Sequence, residues 1–424
     1  MNSQIPGFYK MSVEERLVYL KMQGVLTDAD LQQLGVGLEI SAANRMVENV
    51  IGMTQIPLGI ASNFRINGRD YLIPMATEEP SVVAAASHAA KLALPEGFTA
   101  SSTRPVMRGQ IQVVGLGDQE GAGRAVDESK KELIEKANGF ADILPKIGGG
   151  VVDITTRPVG PREEGMLVVE FFVDCRDAMG ANMVNTIVEG MAPEVARITG
   201  GRPLLKIISN LATERLARAR VVYRKEAIGG EGVVDGIVKA YRFAFHDPYR
   251  ATTHNKGIMN GITALTMATT NDARAIEAGA HSYAAVSGRY LPLSRWYGDA
   301  SGNLVGEIEL PLAYGIVGGA TRTHPVAQVC LKVLGVKTST ELAEVAASVG
   351  LAQNFAALRA LTTEGIQRGH MELQARNIAV MAGAKGEMID RVAEILARER
   401  NVKVSRAKEV LEELGRQGEE PDGS

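Results

Sequence analysis

Hydrophobic and polar positions change rhythm along the chain, and each change predicts an element. Residues 1–45 carry apolar residues at helical spacing in short stretches. Ser12-x-x-Glu15 stands ahead of Leu17, Val18 and Leu20. This is the form of a capping box, in which a hydroxyl and a carboxylate three residues apart satisfy free backbone N–H groups. Asn67-Gly68 between NFRI and RDYLIPM predicts a β-hairpin, because both residues tolerate the positive φ of a tight turn. Pro80-Ser81 opens the alanine-rich run VVAAASHAAKLAL, read as a helix with Glu78 and Glu79 at its N-terminus. Near residue 104 the texture changes to strand (IQVV), helix (DESKKELIEKANGF), strand (VVDITTRPV), strand (MLVVEFFVD), helix (NMVNTIVEGMAPEVARITG) and strand (PLLKIIS). Small and apolar residues then alternate through ATTHNKGIMNGITALTMATTNDARAIEAGA, predicting a buried central helix after Asp272. Beyond residue 337 nearly everything is helical. Thr338-x-x-Glu341 caps Leu342, Val345, Ala346 and Val349, and the last dozen residues read as frayed.

The expected fold class is therefore α+β. A large, mainly helical body is formed by residues 1–105 and 214–368. It carries an inserted α+β unit at 106–213 and a helical C-terminal segment at 369–424. A length of 424 residues fits two or three domains at roughly 150 residues each. With 45% hydrophobic and 22% charged residues, disorder is excluded for the bulk of the chain. The 46 Lys and Arg against 49 Asp and Glu leave a net charge of −3, so no basic excess favours a nucleic-acid partner. Two cysteines, Cys175 and Cys330, are too few for a zinc knuckle, an iron–sulfur cluster or a disulfide scaffold, and no metal is expected. The N-terminus lacks a signal-peptide core and no run of 18 apolar residues occurs, so the expected location is cytoplasmic, without a membrane span.

Several segments carry residue types suited to chemistry. Gly115-Leu-Gly117 after IQVV begins like a dinucleotide fingerprint, but Glu120 occupies the third glycine position and the surrounding pattern is not βαβ. A strand entering a glycine-rich turn is the better reading. In Asp174-Cys-Arg-Asp177-Ala-Met-Gly180-Ala-Asn182, small residues between a strand and a helix would let backbone approach an anionic ligand. An ordinary turn with Asp177 as helix cap explains the same residues. Lys256, in His254-Asn-Lys256-Gly-Ile-Met-Asn260-Gly, would need a partner if buried, and Asp272 could supply it; a surface lysine in a loop is equally compatible. Glu78-Glu79 could be solvated partners of a helix dipole. Gly369-His370-Met371 lies between Gly365 and Gly383, which suits a hinged, closing element.

Together, Glu48-Asn-Val-Ile-Gly52, Glu78-Glu79-Pro80-Ser81, Asp177-Ala-Met-Gly180, His254-Asn-Lys256-Gly-Ile-Met-Asn260-Gly, Asn271-Asp272 and Gly369-His370-Met371 resemble, in order and spacing, the class II hydroxymethylglutaryl-coenzyme A (HMG-CoA) reductases of bacteria and archaea. The resemblance runs from about residue 5 to about residue 405. It implies reduction of the HMG-CoA thioester to mevalonate and CoA by two hydrides from NADH or NADPH. By the same resemblance Lys256 stabilises the oxyanion, with Asp272 as its buried carboxylate partner. Glu79 relays a proton to the carbonyl oxygen, and His370 protonates the leaving CoA thiolate. Ser81, Asn210, Arg250 and Asn260 match substrate-holding positions, and Asp177, Met179, Gly180 and Asn182 match the cofactor loop. The family implies a homodimer with the active site between subunits, and a ferredoxin-like, non-Rossmann cofactor domain at 106–213. It also implies a mobile flap at 369–424. Where NADH-preferring members carry an acidic residue, Ala141 stands here in an ungapped alignment, with Asp142 next to it and Lys136 and Lys146 near by; with Ala141 at that place NADPH is expected to be accepted, and with Asp142 there the expectation reverses. Gln374 replaces a histidine frequent in the family. A CoA-thioester lyase or transferase would also want Lys, Glu and His near a thioester, but not the Asp177–Asn182 loop. A non-catalytic CoA- or nucleotide-binding protein would bind without turnover.

Overall fold

The computed structural model describes residues 2–363 and 365–417; side chains of residues 366–373 and 415–417 lie outside that description. The chain opens with α1 (Val13–Met22), α2 (Asp28–Val36) and α3 (Ile40–Met46). Ser12 and Glu15 form the anticipated capping box reciprocally. After an extended stretch come β1 (Leu58–Ile66) and β2 (Arg69–Ala76), joined by Asn67 and Gly68 at φ 49° and 77°, the left-handed pair that a two-residue hairpin requires. Next are α4 (Val82–Leu92) and β3 (Phe98–Ser102).

The following segment contains β4 (Val106–Val114), α5 (Gln119–Glu128), α6 (Lys130–Asn138), α7 (Ile143–Lys146), β5 (Gly150–Pro158), β6 (Leu167–Asp174), α8 (Ala181–Thr199) and β7 (Arg202–Ser209). Its four strands form one antiparallel sheet in the order β5-β6-β4-β7. Along β4, Met107, Ile111 and Val113 are buried at alternate positions, as a strand with one covered face demands. They meet Val184, Ile187, Val188 and Met191, the apolar stripe of α8. Gly115 turns the chain at φ 78° and Asp118 caps α5 through Gly121 N–H, so the broken fingerprint is a strand–turn–helix corner within an antiparallel unit.

The rest of the chain is less purely helical than its pattern predicts. It provides β8 (Leu216–Tyr223), α9 (Lys225–Ile228), α10 (Glu231–His246), α11 (Pro248–Ala268), α12 (Ala273–Ala285), β9 (Ser294–Gly298) and β10 (Leu304–Pro311). It continues with α13 (Gly319–Thr323), α14 (Pro325–Leu334) and α15 (Ser339–Thr362). β1, β2, β3, β8, β9 and β10 form a six-stranded sheet ordered β2-β1-β3-β8-β10-β9. Its strands alternate in burial over short runs, which a helix-weighted reading passes over. The helix after Asp272, α12, buries one face only. The enclosed helices are α11 and α15, which interlock through small residues. Gly261 faces Val349, and Gly350 faces Ile258 and Ile262, so each helix offers a gap where the other offers a β-branched side chain. Finally α16 (Ile366–Met381), α17 (Met388–Glu399) and α18 (Val404–Gln417) share a core of their own, including Ala375, Val392, Leu396 and Val410. Among the described residues, no helix is long and apolar enough to cross a membrane.

Candidate active site

Helix α11 begins at Asp247, whose carboxylate accepts the Arg250 N–H, with Pro248 in the first turn. Lys256 therefore sits in mid-helix, not in a loop. It shares a face with Asn260, one turn on. Both reach one carboxylate: Lys256 Nζ lies 2.7 Å from Glu79 Oε2, and Asn260 Nδ2 donates to Glu79 Oε1 at 3.2 Å. Glu79 is fixed locally by its own N–H, which donates to Thr77 Oγ1 at 3.1 Å. Two residues later Ser81 adopts φ 72°, outside its ordinary range at a cost of about 1 kcal/mol or more, and turns the chain into α4. The helix thus starts after Ser81, slightly later than the Pro-led reading places it. The Lys256 side chain is 60% exposed, so this ion pair contributes little stability and leaves the ammonium open to a ligand.

Asp272 does not pair with Lys256 and is not buried. Its Oδ1 accepts the N–H groups of Arg274 and Ala275 and lies 3.2 Å from the Arg274 guanidinium. The free N–H groups at the start of α12 hold this carboxylate more closely than a lysine on another helix could. Arg250 is half-buried and shares a face with His254; burial lowers its pKa. Asn210 is exposed in the turn after β7, with its carbonyl packed against Gly279 of α12. His370 lies in α16, and its side chain is outside the described set.

The Asp177–Gly180 turn is tied across to the other sheet's layer. Asp177 does not cap α8. Its Oδ1 accepts the Ser339 N–H at 2.8 Å, at the start of α15, and its carbonyl accepts the Ile316 N–H at 2.9 Å. Gly180 precedes α8 at φ 106° without a side-chain cap; a Cβ there would sit 2.4 Å from Cys175 Sγ. Asn182 is exposed in the first turn of α8. Gly315 packs against Met179 so closely that a Cβ would fall 2.6 Å from its nitrogen, and the Gly315 N–H donates to Asn271 Oδ1 at 2.8 Å. The turn is thereby linked, through Gly315 and Asn271, to Asp272.

Arg215, which the sequence reading missed, is buried inside this junction. It donates to the carbonyls of Ala178 (3.1 Å), Met179 (3.0 Å) and Tyr314, and to Ser339 Oγ at 3.3 Å. Burial pulls its pKa down to about 10, opposed by Cys175, Asp174 and Asp177. Nothing in the sequence separates this arginine from its surface neighbours Arg218 and Arg220. Lys136 and Lys146, expected near Ala141, pair with Glu194 and with Asp142 (3.0 Å).

An exposed ammonium beside a carboxyl and an amide can polarise a carbonyl and deliver a proton. A turn of small residues ahead of an uncapped nineteen-residue helix can receive a pyrophosphate. An α+β fold with both features is an oxidoreductase-like arrangement, and the comparisons resolve its kind. Residues 12–375 match the family model described as hydroxymethylglutaryl-coenzyme A reductase. The 3-hydroxy-3-methylglutaryl-coenzyme A reductase of Archaeoglobus fulgidus is 58% identical over 98% of this chain and 95% of its own. A probable reductase of the same name from Borreliella burgdorferi is 37% identical over 81% and 80%. The class II enzyme of Streptococcus pneumoniae, solved bound to NADPH in open conformations, is 39% identical with a TM-score of 0.81, covering 95% of this chain and all of its own. The chain belongs to the HMG-CoA reductase family.

Proposed function

We propose that the chain reduces HMG-CoA to mevalonate and CoA with NADPH, and that Glu79, Lys256 and Asn260 form the site where the thioester carbonyl is reduced. The observation that carries this is Glu79 held at once by Lys256 and Asn260. Lys256 stabilises the oxyanion of the hemithioacetal, for which a fixed cation is the cheapest counter-charge. Glu79 exchanges a proton with the carbonyl oxygen: the hemithioacetal collapses to an aldehyde with loss of CoA thiolate, and the alcohol oxygen left by the second hydride takes its proton from Glu79. Asp272 belongs to the site's rim through Asn271. His370 protonates the CoA thiolate, which an imidazole can do near neutral pH. Ser81, Asn210 and Arg250 hold the substrate, with Arg250 toward its free carboxylate.

A nicotinamide cofactor bound along Asp177, Met179, Gly180 and Asn182 supplies hydride. The fit rests on Gly180, where any side chain would collide with Cys175, and on the open N–H groups at the start of α8. Ala141 itself carries no carboxylate to repel a 2′-phosphate, the neighbouring Asp142 is paired with Lys146, and the pneumococcal relative binds NADPH. Residues 106–213 act as the cofactor domain, 1–105 with 214–368 as the substrate and dimerisation body, and 369–424 as the flap. The chain acts as a homodimer. The extended segment after α3 supports this, because Val47, Ile51, Met53 and Ile56 stand exposed on it.

The test is nicotinamide absorbance with HMG-CoA, comparing NADPH with NADH. Two cofactors should be oxidised per CoA released, faster with NADPH. Lys256→Ala should lower kcat about a hundred- to a thousandfold, the range of lost oxyanion stabilisation, with folding intact. HMG-CoA-independent behaviour of both cofactors, with folded protein, would refute the reading.

A further inference from the structure

Arg176 stands between the end of β6 and the Asp177–Gly180 turn, at φ 53°, a left-handed conformation that residues with a Cβ ordinarily avoid. Its backbone is held on both sides. The N–H donates to Asp174 Oδ1 at 3.0 Å, and the carbonyl accepts Ser339 Oγ at 2.8 Å. These bonds fix the direction in which the side chain leaves the turn.

That side chain lies across Gly148 and Gly149, the glycine pair between α7 and β5. A Cβ on Gly148 would collide with Arg176 Nη2, and one on Gly149 would fall 3.1 Å from Arg176 Cγ and 2.6 Å from the Asp174 carbonyl oxygen. Glycine is what leaves room for the guanidinium here. The arginine therefore joins two segments distant in sequence: the turn before α8, and the stretch 139–149 that carries Ala141.

The guanidinium is poorly matched within the chain. Its Nε is enclosed and finds no hydrogen-bond acceptor among the described residues. Asp174 Oδ1 is 4.0 Å away, and the fully buried Asp174 carboxylate already accepts Arg104 at 2.8 Å. The side chain is still 41% exposed. Lys136 and Lys146 are engaged by Glu194 and Asp142, which a phosphate would have to displace. Arg176 thus presents a planar fork of donors to solvent, and such a fork matches a phosphate with two parallel hydrogen bonds.

We propose that Arg176, seated on Gly148 and Gly149, clamps a phosphate of the adenosine half of the nicotinamide dinucleotide, either the 2′-phosphate of NADPH or the pyrophosphate. This rests on the reading of Asp177–Asn182 as the cofactor turn.

The experiment titrates the nicotinamide fluorescence of NADPH, and separately of NADH, with the full chain as wild type, Arg176→Gln and Arg176→Lys. Losing a charged fork should weaken binding by Arg176→Gln about ten- to a hundredfold. A loss for NADPH alone assigns the clamp to the 2′-phosphate, and an equal loss for both cofactors assigns it to the pyrophosphate. Lysine keeps the charge but not the fork, and should lose severalfold. KM for HMG-CoA should stay within about threefold, because the clamp acts on the cofactor only. Unchanged Kd values for both cofactors in folded Arg176→Gln would overturn the proposal. So would weaker cofactor binding matched by an equal rise in KM for HMG-CoA and earlier melting, the mark of a junction that has come apart. If Arg176→Gln does not fold, wild-type affinity of Arg176→Lys for both cofactors overturns it too. A wild type that binds neither cofactor would instead remove the cofactor reading of the turn itself.

Discussion

His254 shows how a residue inside a catalytic-looking motif can be structural. It is buried in α11, two residues before Lys256, with Nε2 2.7 Å from Ser294 Oγ. Ser294 donates onward to Asn354 Oδ1 at 2.7 Å, which also accepts from Trp296 Nε1. The hydroxyl is therefore the acceptor of the imidazole N–H. Nδ1 is left buried without a partner, and a second proton there would be an unpaired buried charge. Burial, helped by Arg250, pulls the pKa down to about 3. The unfolded chain binds this proton near pH 6.5 while the folded one does not, so the associated stability is complete above about 6.5. It is lost as pH falls toward 3, by up to ~1.4 kcal/mol per unit. Urea unfolding at pH 7 and 5 should show a steeper loss for wild type than for His254→Gln. Parallel slopes would remove the explanation. Lys256, by contrast, was legible as chemically unusual because a lysine among small and apolar residues needs an account. Its partner was not legible, because whether Glu79 or Asp272 reaches it depends on how α4 and α12 approach α11.

At the scale of elements, the junction of β6, α8 and α15 is where a local pattern acquires a distant purpose. The strand–turn–helix Asp177–Gly180 is readable from its small residues. Its anchoring is not, because Arg215 and Ser339 come from far along the chain. Arg215 satisfies the carbonyls of Ala178, Met179 and Tyr314 in a place closed to water. Arg215→Met should leave these acceptors unmatched and cost about 3 kcal/mol. If the turn carries the cofactor, KM for NADPH should also rise several-fold more than KM for HMG-CoA. Equal changes in both constants, or none, would mean that the arginine serves stability alone. The Ser12 capping box, the Thr338 cap and the hairpin were legible because their hydrogen bonds close within a few residues. Strands β3, β8, β9 and β10 were overlooked because they are completed only by pairing with one another.

For the whole molecule, two sheets, each with helices against it, form separate hydrophobic cores, and the C-terminal helices form a third. The change of texture near residue 104 falls just before β4, the first strand of the four-stranded sheet. Exposed Ile51, Met53 and Ile56 on the segment after α3 have no role in a single chain. Sedimentation velocity should give twice the chain mass, and Ile51→Asp should shift the protein toward monomer with loss of turnover. A fully active monomer would contradict the proposed dimer.

The sequence by itself determined what closes locally: the capped helices, the hairpin, the alternation of β4, and the ordered motifs that place the chain in its family. These rest on periodicity and short-range hydrogen bonds, whose partners are neighbours in the chain. Tertiary structure alone decided that α11 and α15 are the enclosed helices, that Lys256 meets Glu79 and not Asp272, that Asp177 accepts the Ser339 N–H at the start of α15, and that Arg215 matters at all. Each depends on charges and carbonyls brought together from distant segments, and burial, not residue type, sets what a charge can do.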